Sequence, residues 1–142
     1  MTEISFYTFA QDRFEVARQI VVKAYRQRRH VMLYVTDRER ADVMDQLLWA
    51  LPGFLPHCRD HDPLAPETPV LIGASVDTLA QPDVIINLDD ERPQAFSRFA
   101  RLVEIVTGAE DDRMRARQRY RFYQERGYAL NTINLGQQGV QP

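Results

Sequence analysis

The spacing of apolar residues switches repeatedly between two and three to four along the chain, which predicts alternating strands and helices. Ile4, Phe6 and Thr8 share one face of the first predicted strand. Residues 30–35 (HVMLYV) and 83–88 (DVIINL) are almost continuously apolar, as is typical of strands buried on both faces. The predicted strands are 3–9, 30–35, 70–72, 83–88 and 101–106, the helices are 12–28, 38–51, 94–99 and 110–126, and residues 128–135 are an extended segment.

Local signals mark where the helices begin and end. Asp12 is expected to cap the first helix, and Thr36 followed by Glu39 has the spacing of a capping box for the second. Gly127 fits the left-handed position that ends many helices. Residues 52–68 are rich in proline and are predicted to form a long loop, which in a compact domain is usually functional or part of an interface.

This order of elements predicts a three-layer, Rossmann-like α/β fold with a mostly parallel central sheet. With 142 residues, we expect one domain over 1–142, with about 136–142 as a flexible tail. The hydrophobic fraction of 44% and the charged fraction of 27% exclude wholesale disorder, collagen and coiled coil.

The sequence also bears on location. No apolar run approaches the ~18 residues of a membrane span, so we expect no membrane association. The opening MTEISFY does not have the basic and apolar regions of a secretory signal. Cys58 is the single cysteine, so an intrachain disulfide cannot form. We therefore expect a cytoplasmic protein.

Charge is distributed unevenly. Residues 1–112 carry 12 basic and 19 acidic side chains, a net charge of −7. Residues 113–142 carry six arginines and one acid, a net charge of +5. An acidic body with a basic C-terminal segment indicates that an anionic partner docks in one place. It does not favour a protein that coats duplex DNA, which would be basic throughout.

The usual signatures of cofactors and nucleophiles are missing. No G-x-G-x-x-G follows the first strand and no G-x-x-x-x-G-K-[ST] occurs, so no nucleotide or other cofactor is expected. His57, Cys58 and His61 lie in one short cluster, whereas a closed zinc site needs four ligands, usually in two spaced pairs. We expect neither a metal site nor a cysteine nucleophile there.

Asp89, Asp90 and Glu91 provide an alternative in which the protein is an enzyme. They follow a probable central strand at its carboxyl end, where α/β folds bind ligands, and clustered carboxylates can hold Mg²⁺. This hypothesis predicts a Mg²⁺-dependent phosphotransferase or nuclease. The simpler interpretation is a solvated turn in which an acid caps the short helix near Pro93.

The arginine-rich helix at 110–126 is the most informative feature. Arg113, Arg117 and Arg121 recur every four residues and form one stripe, bordered by Tyr120. Like charges at this spacing repel one another, and no acid lies between residues 113 and 121. The stripe is either a solvated face or a site for an acidic peptide or a phosphate backbone, to which arginine donates paired hydrogen bonds. Direct nucleic-acid binding by this helix is thus a second alternative.

Two blocks of sequence resemble the chi subunit family of bacterial DNA polymerase III holoenzyme. Residues 117–132 read R-x-R-Y-R-x-Y-x-x-x-G-Y-x-L-N-T, which is similar to the C-terminal signature of that family. Residues 47–57 read L-L-W-A-L-P-G-F-L-P-H and resemble a second family block. The order of elements is also similar to about residue 135.

The resemblance implies a non-catalytic accessory protein of the clamp-loader assembly that has a Rossmann-like fold without a bound nucleotide. It implies two partners: the psi subunit, and the acidic C-terminal tail of single-stranded-DNA-binding protein, which ends in phenylalanine. Contact with DNA would then be indirect. The tail-binding positions implied by the match are Arg113, Arg117, Tyr120, Arg121 and Val106. The implied psi-binding positions are Trp49, Pro52 and Phe54.

Overall fold

The computed structural model describes residues 1–136, which form a parallel seven-stranded sheet with helices on both faces. The strands are β1 (Glu3–Ala10), β2 (Val31–Tyr34), β3 (His57–Arg59), β4 (Val70–Gly73), β5 (Val84–Asn87), β6 (Arg101–Thr107) and β7 (Leu130–Asn134). The helices are α1 (Arg13–Arg26), α2 (Arg38–Trp49) and α3 (Glu110–Glu125). The predicted flexible tail lies outside the described residues, except for Gly136.

The strand order is β3-β4-β2-β5-β6-β1-β7, and every neighbouring pair is parallel. The expected α/β fold with a parallel sheet is therefore confirmed. No helix among the described residues is long and apolar enough to cross a lipid bilayer.

Two hydrophobic cores make the fold three-layered, because successive side chains of a strand point to opposite faces of the sheet. In β2, Leu33 packs into the core beneath α1 and α2, whereas Met32 packs into the core on the α3 side. Both residues are fully buried. This burial on both faces explains why the central strands are continuously apolar.

Three local predictions were wrong. The predicted loop 52–68 contains a short edge strand, β3, which pairs with β4. The N-cap of α2 is Asp37, which accepts a hydrogen bond from the Arg40 N–H at 3.0 Å, whereas the hydroxyl of Thr36 donates to Asp89. The short helix predicted at 94–99 is a single 3₁₀ turn at Phe96–Arg98. Asp12 caps α1, and Gly127 has a φ of +80°, both as predicted.

Candidate functional site: a basic pocket beside helix α3

Helix α3 is fixed to the sheet by a buried polar network. Glu104 of β6 is fully buried and accepts hydrogen bonds from Arg119 Nε at 3.2 Å and from the Tyr123 hydroxyl at 2.6 Å. Asn87 of β5 donates to the same carboxylate at 3.0 Å. Burial raises the pKa of the Glu104 carboxyl, although Arg119, Tyr123 and Asn87 all stabilise its charged form. The network sets which residues of α3 face outward.

The start of α3 is held by Asp112, which is 2% exposed. One carboxylate oxygen accepts hydrogen bonds from the Thr107 N–H at 2.8 Å and the Thr107 hydroxyl at 3.0 Å. The same oxygen lies 3.1 Å from Arg13 at the start of α1. Burial opposes the charge, but the contacts with Thr107 and Arg13 outweigh it and hold the pKa of Asp112 below its ordinary value.

We expect the Asp112→Asn protein to be less stable than the parent at neutral pH and less sensitive to acid. Because the pKa of Asp112 is lowered on folding, the native state binds fewer protons than the unfolded state. The stability that Asp112 contributes is present above its ordinary pKa, about 3.9, and is lost as the pH falls through the lower native value. Melting temperatures of both proteins between neutral and strongly acidic pH test this. Glu110→Gln, at an exposed site in the same turn, is the control, and parallel melting curves for Asp112→Asn and the parent would contradict the prediction.

A pocket of about 230 Å³ opens between α3 and the edge of the sheet. Phe6 and Val106 from the strands, with Ala116 and Tyr120 from α3, supply its apolar surface. The rings of Phe6 and Tyr120 meet edge to face, with their centroids 5.2 Å apart. The volume suits one apolar side chain.

Arginines line the mouth of this pocket. Arg113 and Arg117, one turn apart on α3, both line it. Within the part of the chain that the structure describes, neither forms an ion pair. An apolar cavity with unpaired guanidinium groups at its rim can hold an apolar group that carries a nearby carboxylate or phosphate.

Four of the five tail-binding positions predicted from the family match are therefore neighbours in one pocket: Val106, Arg113, Arg117 and Tyr120. The fifth, Arg121, is exposed on α3 but does not line the pocket. It continues the basic stripe away from the cavity. The role of all five residues in binding stays a prediction.

Phe9 lines the pocket and was not predicted. Its φ of +57° is in the left-handed region, which bulky residues rarely adopt. The pairing of β1 with β6 shifts register between Tyr7 and Ala10, so Ala10 packs under α1 while Phe9 turns to the α3 side. Its ring is 40% exposed and lies 5.0 Å from the guanidinium carbon of Arg113, a cation–π contact.

We expect Phe9→Asn to leave stability nearly unchanged and to weaken ligand binding in the pocket severalfold. A left-handed backbone costs a bulky residue about 1–2 kcal/mol, which asparagine largely avoids, and this gain offsets the loss of the partly buried ring. Thermal melting and calorimetry with a peptide ending in phenylalanine measure the two effects. Phe54→Asn, which removes an exposed ring far from the pocket, is the matched control. If Phe9→Asn binds the peptide as tightly as the parent, Phe9 is not part of the binding site.

The predicted psi-binding residues form an exposed aromatic surface at the end of α2. Trp49 is 60% exposed and Phe54 is 71% exposed, and their ring centroids are 6.3 Å apart. The expected exposure of Trp49 next to Phe54 is confirmed. The ring of His57 contacts the ring of Trp49, with 4.6 Å between their centroids. The Nδ1 atom of His57 lies 2.8 Å from the carbonyl oxygen of Leu55. Pro52, the third predicted residue, is exposed nearby.

The acidic cluster that suggested an enzyme is engaged in other contacts. Asp89 accepts hydrogen bonds from the Thr36 N–H at 2.9 Å and from its hydroxyl at 2.7 Å. Asp90 lies 3.2 Å from Arg40 and 3.6 Å from Arg115. The predicted acid cap of a helix near Pro93 was wrong, because the 3₁₀ turn at Phe96–Arg98 follows Ala95 and has no side-chain cap. Within residues 1–136, no three His, Cys, Asp or Glu side chains are grouped as a metal site.

The fold and this site together define an α/β protein with a basic, side-chain-sized pocket. A sequence model of the family described as DNA polymerase III chi subunit, HolC, matches residues 1–131. The chain is 33% identical over 141 residues to the DNA polymerase III subunit chi of Pseudomonas aeruginosa, covering 95% of this chain and 98% of that protein. It is 26% identical over 125 residues to the subunit of the same name from Haemophilus influenzae, covering 86% and 87% of the two chains.

A third relative is the DNA polymerase III subunit chi of Escherichia coli, which is 26% identical over 117 residues and covers 80% of each chain. The chain therefore belongs to the DNA polymerase III chi subunit family. Members of this family are accessory subunits in DNA replication.

Proposed function

We propose that this chain is a non-catalytic adaptor of the clamp-loader assembly in the bacterial cytoplasm. One surface binds the acidic C-terminal tail of single-stranded-DNA-binding protein, and another binds the psi subunit. Through these two contacts the chain ties the replicative polymerase to coated single-stranded DNA and meets DNA only indirectly. We also propose that residues 1–142 act as one domain, as the sequence predicts.

The observation that carries the proposal is the pocket lined by Val106, Arg113, Arg117 and Tyr120. A tail that ends in phenylalanine has an aromatic ring and a terminal carboxylate on one residue. The apolar cavity fits the ring, and the guanidinium of Arg117 is suited to the carboxylate. Arg113 and Arg121 then attract the acidic residues that precede it.

The aromatic surface of Trp49 and Phe54 supports the second contact. Large aromatic side chains that are exposed in a free subunit are frequent hot spots of protein–protein interfaces. This surface belongs to the α1–α2 layer, whereas the pocket belongs to the α3 layer. Both partners can therefore bind at once, as an adaptor requires.

The test is a bridging assay with purified components. Single-stranded-DNA-binding protein is loaded on immobilised DNA, and retention of psi is measured with and without the chain. Psi should be retained only when the chain is present and the tail is intact. Retention that is unchanged after deletion of the tail would contradict the proposal.

Trp49→Ala is expected to weaken pairing with psi by about 2 kcal/mol or more, because truncation removes a central aromatic anchor. The melting temperature should change little, since the ring is 60% exposed in the free chain. Binding of the tail peptide should be unchanged, which makes it the internal control. A large loss of stability would instead make Trp49 a packing residue.

A further inference from the structure

A groove of about 440 Å³ lies between α1 and the turn that follows α2. Val22 and Tyr25 line its helix side, and Leu51 and Phe54 line the other. Gly53 forms the turn with a φ of +87°, a conformation that favours glycine, and the turn carries Phe54 outward. Phe54 also contacts Trp49, so the groove is continuous with the proposed psi-binding surface.

Positive charge is concentrated at the end of α1. Lys23, Arg26, Arg28 and Arg29 lie within seven residues of one another, and no acid pairs with any of them in the described part of the chain. This local excess of positive charge lies within residues 1–112, which together have a net charge of −7. Of these four cations, only Arg26 lines the groove. Arg18 also lines it, but its guanidinium is paired with Glu15.

We propose that the groove binds an amphipathic, acid-bearing segment of the partner that covers Trp49. Apolar side chains of that segment fill the space between Tyr25 and Phe54, and a carboxylate of the segment pairs with Arg26. This inference rests on the proposed function, under which the partner is psi. It extends the psi interface from the end of α2 onto α1.

Charge and shape favour this occupant over a nucleic acid. The groove is lined mostly by apolar residues, together with Arg26, which forms no ion pair in the described part of the chain. An amphipathic peptide matches this lining because it presents apolar and charged side chains together. A nucleic-acid strand needs several cations along its path. Here Lys23 and Arg29 face a separate recess bounded by β1, β5 and β6, so they are not aligned with Arg26 along the groove.

The proposal is tested by titrating psi into the full chain and into single variants, at low and high salt. Arg26→Glu should weaken binding by about tenfold or more, because it opposes like charges at the contact, and high salt should reduce the difference. Tyr25→Ala should also weaken binding by about tenfold or more. Arg28→Glu makes the same charge change at an exposed residue outside the groove and should bind like the parent. Reversing one acid of psi should restore binding to Arg26→Glu.

The outcomes separate the groove from the proposed function. If Trp49→Ala weakens binding but Arg26→Glu and Tyr25→Ala bind like the parent, the groove is not part of the interface and the adaptor function stands. If Arg26→Glu and Arg28→Glu weaken binding equally, the effect is general electrostatics and the proposal fails. If the parent self-associates and Arg26→Glu abolishes this, the occupant is a second copy of the chain. If psi does not bind the parent, the proposed function itself fails.

Discussion

Replacing Arg119 with alanine is expected to lower the free energy of unfolding by about 3–5 kcal/mol, because it leaves a buried carboxylate without its charged partner. Arg119 is 5% exposed and Glu104 is fully buried, so the lost contact is one that solvent does not reach in the parent. Tyr123 and Asn87 still donate to Glu104, but neither carries a charge. The effect is measured by urea or thermal unfolding.

Arg115→Ala is the matched control for this change. Arg115 lies one turn before Arg119 on α3, and its side chain is 38% exposed in its ion pairs with Asp90 and Asp111. It also lies 3.7 Å from the buried carboxylate of Asp112, which keeps its contacts with Thr107 and Arg13 in the variant. Pairs of this exposure contribute about 0–1 kcal/mol. If Arg119→Ala lowers the free energy of unfolding no more than Arg115→Ala does, the buried network does not fix α3 and does not position the pocket.

Replacing Arg117 with alanine is expected to reduce affinity for the tail peptide about tenfold to a hundredfold. Under the proposed function, the substitution removes a charge-assisted hydrogen bond to the terminal carboxylate, worth about 1.5–3 kcal/mol. Arg117 is exposed at the mouth of the pocket, so the variant should melt at the parent temperature. Calorimetry at two salt concentrations measures the loss.

Arg121→Ala provides the comparison, since Arg121 carries the same charge one turn further along α3 but lies outside the pocket. An exposed ion pair with the tail contributes about 0–1 kcal/mol and is screened by salt. Unchanged affinity in Arg117→Ala would mean that α3 is not part of the binding site and that the arginine stripe is a solvated face.

Most strands, and the arginines and Tyr120 of the pocket, could be predicted because their signals are local, whereas Val106 was implied only by the family resemblance. Continuous apolar runs mark β2 and β5, and a four-residue arginine spacing identifies one side of α3. Strand β3 could not be predicted in this way, because its three residues (HCR) are mostly polar and follow Pro56. Its pairing with β4 is a tertiary contact without a local pattern.

Phe9 was missed for a different reason. Alternation along β1 sends Phe9 to the same face as Ser5 and Tyr7, away from α3. The left-handed backbone at Phe9 overrides this alternation. Phenylalanine rarely adopts such a conformation, so the sequence gives no reason to predict it. The network around Glu104 was also missed, although one signal was present: an acid in the middle of the otherwise apolar strand sequence RLVEIVT requires a buried partner.

Under the proposed function, the pocket beside α3 recognises an acidic peptide through its terminal phenylalanine. The most direct measurement is a calorimetric titration of the parent chain with the tail peptide, with the same peptide lacking its last residue, and with an oligonucleotide of equal charge. We predict that the tail peptide binds in a one-to-one complex, that loss of the phenylalanine abolishes measurable binding, and that the oligonucleotide binds only weakly at low salt. Equal binding of the oligonucleotide and both peptides would contradict the claim and make the helix a general anion-binding surface.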